Sequence, residues 1–91
     1  MRVRYSSRAE QDLLDILSES AKRFGEDAAR RYAKRLVDAM RRLGTFPGLG
    51  KINLDYDDGT RTFVVGRHEI VYSIVGNEVF IAEIVSVFQD S

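Results

Sequence analysis

Arg61-Thr-Phe-Val-Val-Gly-Arg-His-Glu-Ile-Val-Tyr-Ser-Ile-Val-Gly-Asn-Glu-Val-Phe-Ile-Ala-Glu-Ile-Val85 is the stretch that decides the fold. Three runs rich in β-branched and aromatic residues, about 61–65, about 68–75 and about 78–87, are split by Gly66-Arg67 and Gly76-Asn77. Both residues of Gly76-Asn77 accept positive φ, so Val75 and Glu78 are joined by a two-residue hairpin turn. Sequential strands with connections this short are antiparallel, and the turns are too small to hold anything else.

Upstream, residues 44–60 lack periodicity and contain Gly44, Pro47, Gly48, Gly50 and Gly59. A loop of this length is uncommon in a small domain and more often serves recognition than filling. Before it, Ala29, Tyr32, Leu36, Ala39, Met40 and Leu43 recur at helical spacing, from Glu26-Asp27 to the stop at Gly44 and Pro47. An earlier stripe of Ala9, Leu13, Ile16, Leu17, Ala21 and Phe24 ends at Gly25. Ser7 and Glu10 have capping-box spacing at its start. A one-residue connection between two amphipathic helices forces an antiparallel hairpin. Residues 2–5 alternate like a strand. The pattern predicts an α+β fold, β-α-α-β-β-β. The two-helix hairpin packs on one face of a mostly antiparallel sheet of about four strands.

Ninety-one residues form one domain that buries only roughly 60–65% of its unfolded surface, which leaves little room for an enclosed pocket. The absence of cysteine excludes disulfides and thiolate metal sites. No signal core and no run near 20 apolar residues is present, so a cytoplasmic location is expected. Net charge is zero, yet residues 1–43 carry eleven Lys/Arg against seven Asp/Glu, and residues 44–91 carry three against seven. This bipolarity points to oriented docking on a partner and away from sequence-independent DNA binding.

His68 is the only histidine, so no histidine-based metal cluster or relay exists. It is the one side chain able to exchange protons near neutrality without a shifted pKa, against the simpler reading of a locally paired edge residue. Arg61 and Arg67 flank one strand and suit forked binding of phosphate or carboxylate, or are solvated strand-end charges. Asp55, Asp57 and Asp58 lack the ligand alternation of a calcium loop and read as a solvated turn. Tyr32, Tyr72, Phe63 and Phe80 read as core, and Tyr56 as the aromatic most exposed.

Tyr5 through Leu13, Phe24-Gly25, Ala28 through Leu36, Leu43, Pro47, Gly48, Gly50, Gly59-Thr60-Arg61, His68 through Tyr72, Val79 through Val85 and Gln89-Asp90 together resemble the RelE/ParE toxin superfamily, in its ParE-like (plasmid-stabilisation) branch. The likeness implies a single toxin domain over residues 1–91, without cofactor or metal. It implies a type II toxin that inhibits DNA gyrase by binding and is neutralised by a ParD-like antitoxin in a hetero-oligomer. Arg61, Arg67 and His68 are expected to bind the target; Tyr32, Arg35 and Leu36 are expected to contact the antitoxin. The alternatives are a ribosome-dependent mRNA endoribonuclease using Arg61, Arg67 and His68, or a non-toxic member that only binds its antitoxin. Ser86 and Phe88 stand where many members carry histidine and arginine, a departure that bears on toxicity and target more than on antitoxin binding.

Overall fold

The computed structural model describes residues 1–87. Strand β1 (Arg2–Tyr5) leads into helix α1 (Ser7–Phe24) and helix α2 (Glu26–Thr45). A 3-10 turn (Pro47–Leu49) and a two-residue strand β2 (Lys51–Ile52) follow, then β3 (Arg61–Val65), β4 (His68–Val75) and β5 (Glu78–Ser86). The strands form one sheet in the order β1-β5-β4-β3-β2. β1 runs parallel to β5 and all other pairs are antiparallel. The sheet therefore has five strands where about four are expected. Lys51-Ile52 is too short to carry an alternating pattern, so sequence periodicity passes over it.

Gly25 alone joins the helices, with φ 88° and ψ 163°. That region is essentially restricted to glycine, which is why so short a link reverses the chain. The α2 stripe is buried as its spacing predicts: Ala29, Leu36, Ala39, Met40 and Leu43 are covered, and Tyr32 is partly so. Tyr32, Leu36, Ala39, Met40 and Leu43 pack with Phe63, Val65, Ile70, Tyr72, Val79, Ile81 and Ile84 from one face of the sheet.

The first helix is capped one residue earlier than the Ser7–Glu10 box predicts. Ser6 is the N-cap and its Oγ accepts from the Ala9 N–H at 2.9 Å. The same hydroxyl donates to the Ala82 carbonyl at 2.6 Å. Ala82 is the extra residue where the β4–β5 register jumps from Val71↔Glu83 to Tyr72↔Ile81. Asp12 completes the clamp by accepting from the Ile84 N–H at 3.0 Å. A bulge leaves backbone groups without ladder partners, and here side chains at the start of α1 supply them.

The 44–60 segment is anchored from beneath. The buried Tyr72 hydroxyl accepts from the Gly50 N–H at 2.8 Å and donates to the Pro47 carbonyl at 2.7 Å. Arg61 Nη1 donates to the Gly50 carbonyl at 2.7 Å. A Cβ on Gly50 would stand 2.6 Å from the Tyr72 ring and hydroxyl, so only glycine permits the approach. Tyr72→Phe is expected to cost about 1–3 kcal/mol, because it keeps the ring but strands both backbone groups. Urea denaturation measures it; an unchanged midpoint would contradict the anchoring role.

Candidate functional site

The turn between β3 and β4 is Val65-Gly66-Arg67-His68, with Gly66 at φ 58°. Tyr32 rises from α2 to the underside of this turn. Its hydroxyl accepts from the Arg67 N–H at 3.0 Å, stands 2.6 Å from His68 Nδ1 and 3.2 Å from the Val65 carbonyl. The rings of Tyr32 and His68 lie 5.5 Å apart at a tilt of 52°. A phenol has one proton to give: donated to the Val65 carbonyl it leaves the hydroxyl to accept from a protonated Nδ1, and donated to Nδ1 it leaves the proton of the neutral ring on the other nitrogen.

Burial pushes the His68 pKa below its ordinary 6.5, and the Arg67 guanidinium adds to the effect. The imidazole is therefore mostly neutral at pH 7, with Nδ1 engaged by the Tyr32 hydroxyl. The folded protein takes up this proton at lower pH than the unfolded chain does. The stability contributed by neutral His68 is thus complete above pH 6.5 and declines as pH falls from there towards the lowered folded value. Urea midpoints measured between pH 7.5 and 5 should fall more steeply for the wild type than for His68→Gln. Identical slopes would show that the shift is absent.

Beside the turn runs a groove of about 480 Å³, lined on the α1 side by Asp15, Ile16, Glu19, Ser20, Arg23 and Phe24 and on the sheet side by Arg67, His68 and Ser86. Ser86 pairs with His68 across β4 and β5, and the Val87 N–H donates to the Arg67 carbonyl at 2.9 Å. Glu19 and Arg23 form an exposed ion pair at 3.5 Å.

Of the residues expected to bind the target, Arg67 and His68 are adjacent and share the groove. Arg61 is not with them. It begins β3 while the turn follows its end, about 13 Å along the strand, and its guanidinium is engaged by the 44–60 segment. Of the expected antitoxin contacts, Arg35 is exposed with its guanidinium 6.0 Å over the Tyr32 ring. Tyr32 is partly buried, and Leu36 is 0% exposed in the core. Leu36 thus has no surface to offer a partner in this structure. Phe88 lies outside the described residues.

Three aromatic assignments change. Phe80, read as core, is half-buried outside the core cluster, with the Arg4 guanidinium 4.6 Å over its ring. Tyr56 is half-buried, and burial, followed by Glu83, Glu69 and Asp55, raises its pKa. Phe24, counted in the α1 core stripe, is instead 62% exposed on the rim of the groove. Its place at the end of α1, just before the Gly25 link, is the sequence signal for this.

A second groove, of about 340 Å³, lies between α2 and β3 and is lined by Arg35, Asp38, Ala39, Arg42, Phe63, Val64, Val65 and Gly66. β2 covers only Arg61 and Thr62 of β3. Val65 and His68 close the tight turn as a bonded pair, so alternation turns the Val64 N–H and carbonyl away from β4, onto an edge that β2 does not reach.

A two-helix layer packed on a mixed five-stranded sheet defines an α+β fold. Residues 3–90 match the family described as the ParE toxin of the type II toxin–antitoxin system parDE. Toxin ParE1 of Caulobacter vibrioides is 34% identical over 71 residues, 78% of this chain and 74% of that protein. The fold is shared with a chain of the chromosomal ParDE system of P. aeruginosa, at TM-score 0.85 and 21% identity, with 97% of each chain covered. It is also shared with a chain of the RelBE2 toxin–antitoxin complex of Mycobacterium tuberculosis, at TM-score 0.69 and 20% identity, with 93% and 95% covered. The chain belongs to the ParE toxin family within the RelE/ParE superfamily and is the toxin of a type II toxin–antitoxin system. Among the described residues, no helix is long and apolar enough to cross a membrane.

Proposed function

We propose that this toxin acts by binding DNA gyrase and blocking it, without chemistry of its own, and that a ParD-like antitoxin neutralises it. The observation that carries the target reading is the lining of the groove beside Arg67 and His68. It mixes two carboxylates, Asp15 and Glu19, with two guanidiniums, Arg23 and Arg67, around an exposed aromatic. An RNA backbone would meet both signs there, whereas a protein surface can match an alternating pattern. The neutral, hydrogen-bonded His68 and the distance of Arg61 from it leave the endoribonuclease reading without an assembled set of groups.

The antitoxin is assigned to α2 and the open edge of β3, where Arg35 and Arg42 form no ion pair among the described residues. An extended acidic segment suits that edge, bonding Val64 through its main chain and the arginines through its carboxylates. Gly66 borders this second groove and Arg67 the first, so both surfaces meet at one turn. Supercoiling by purified gyrase tests the proposal. Inhibition relieved by antitoxin is expected. Unchanged supercoiling at toxin excess, with codon-associated mRNA cuts after induction, would replace it with the nuclease reading.

A further inference from the structure

We infer that Phe24 is the anchor of the target-binding surface, seated in the partner beside an acidic group that meets Arg67 and a basic group that meets Asp15 and Glu19. The inference rests on the groove being the toxic surface and adds the residue that dominates it and the chemistry it selects.

Phe24 ends α1, and Gly25 beyond it has φ 88°, so the chain turns away and leaves the ring on the rim. Burying a phenylalanine is favourable, and this ring forgoes most of that gain at 62% exposure. A single exposed apolar side chain is ordinary, but this one is not isolated. It stands in the same groove as Ile16, with Arg23 next to it in sequence and Arg67 on the facing wall. An aromatic ring flanked by arginines is the composition of the residues that carry most of an interface's energy.

The charges select the partner. Asp15 and Glu19 lie one helical turn apart on α1, on the wall opposite Arg67 and His68. A segment fitting this groove presents an apolar side chain or pocket to Phe24, a carboxylate towards Arg67 and a lysine or arginine towards Asp15 and Glu19. A polyanion drawn to Arg67 would also face Asp15 and Glu19, of which Arg23 pairs only Glu19.

Phe24→Ala is compared with wild type in three measurements: antitoxin capture, growth arrest on induction and inhibition of gyrase supercoiling. Phe24 lies outside the core, so the variant is expected to capture antitoxin as wild type does. Growth arrest is expected to be lost, and half-inhibition of supercoiling to need at least about 30-fold more toxin, the hot-spot range. Arrest retained in full at matched expression, or a supercoiling shift below about 3-fold, would overturn the inference. If wild type arrests growth without touching gyrase while Phe24→Ala does not arrest it, the anchor stands and the gyrase assignment falls. An Asp15→Lys, Glu19→Lys variant as toxic as wild type would overturn the charge assignment.

Discussion

Leu36→Ala is expected to destabilise the protein by about 2–5 kcal/mol, the cost of removing a fully enclosed leucine and leaving part of its volume empty. The side chain is 0% exposed and sits in the cluster that joins α2 to β3, β4 and β5, so its neighbours have little freedom to close the gap. A small domain has only about 5–15 kcal/mol of stability, so much of it is at stake. The adjacent Arg35→Ala removes an exposed guanidinium and is expected to leave stability within about 0.5 kcal/mol. Antitoxin affinity should respond in the opposite way: Arg35→Ala weakens it with the fold intact, and Leu36→Ala changes it only in proportion to unfolding. Urea denaturation and antitoxin titration on the same preparations measure both. A stable Leu36→Ala protein that fails to bind antitoxin would restore Leu36 as a contact residue.

Gly66→Ala is expected to be comparably damaging for a different reason. Gly66 has φ 58°, which costs a residue with a Cβ about 1–3 kcal/mol. The added carbon would also stand 2.8 Å from Tyr32 Cε1 and 2.9 Å from its hydroxyl, and overpacking of that kind costs about 1–3 kcal/mol more. Gly76 provides the control, with φ 60° and nothing within 4 Å of a built Cβ. Gly76→Ala should therefore show the backbone cost alone. The difference between the two variants isolates the contact of Tyr32 with the turn. Displacing Tyr32 also releases His68 and the Arg67 N–H, so Gly66→Ala should reduce toxicity beyond its loss of stability, and Gly76→Ala should not. Equal destabilisation by both would mean that Tyr32 does not brace the turn.

These contrasts mark what local sequence could disclose. Leu36, Met40 and Leu43 fall on one side of a 3.6-residue period, and Gly76-Asn77 announces a hairpin, so the two layers are readable from spacing alone. Lys51-Ile52 has no period to read. The Ser6 cap is missed because Ser7 has the better spacing to Glu10, while Ser6 is recruited by the Ala82 carbonyl 76 residues away in sequence. Asp12 looks like one more outward acid until β5 brings the Ile84 N–H to it. The site behaves likewise. Arg67 and His68 are neighbours in sequence and in space, but the hydroxyl that organises them comes from Tyr32 on another element. Arg61 begins the strand that leads into their turn and is nonetheless separated from them, because a strand extends its residues along a line. Phe24 keeps the period of a core stripe yet ends α1 outside the core cluster.

The central claim is that target and antitoxin are held on two different surfaces that meet at the β3–β4 turn. The most direct measurement is a separation of function: Arg67→Ala and Arg35→Ala proteins, each titrated against antitoxin and against gyrase supercoiling. Arg67→Ala should lose at least about tenfold in gyrase inhibition, the scale of a lost charge-assisted contact, while its antitoxin affinity stays within about threefold; Arg35→Ala should show the reverse. Equal loss of both activities in each variant, or gyrase inhibition that is indifferent to Arg67, would contradict the account.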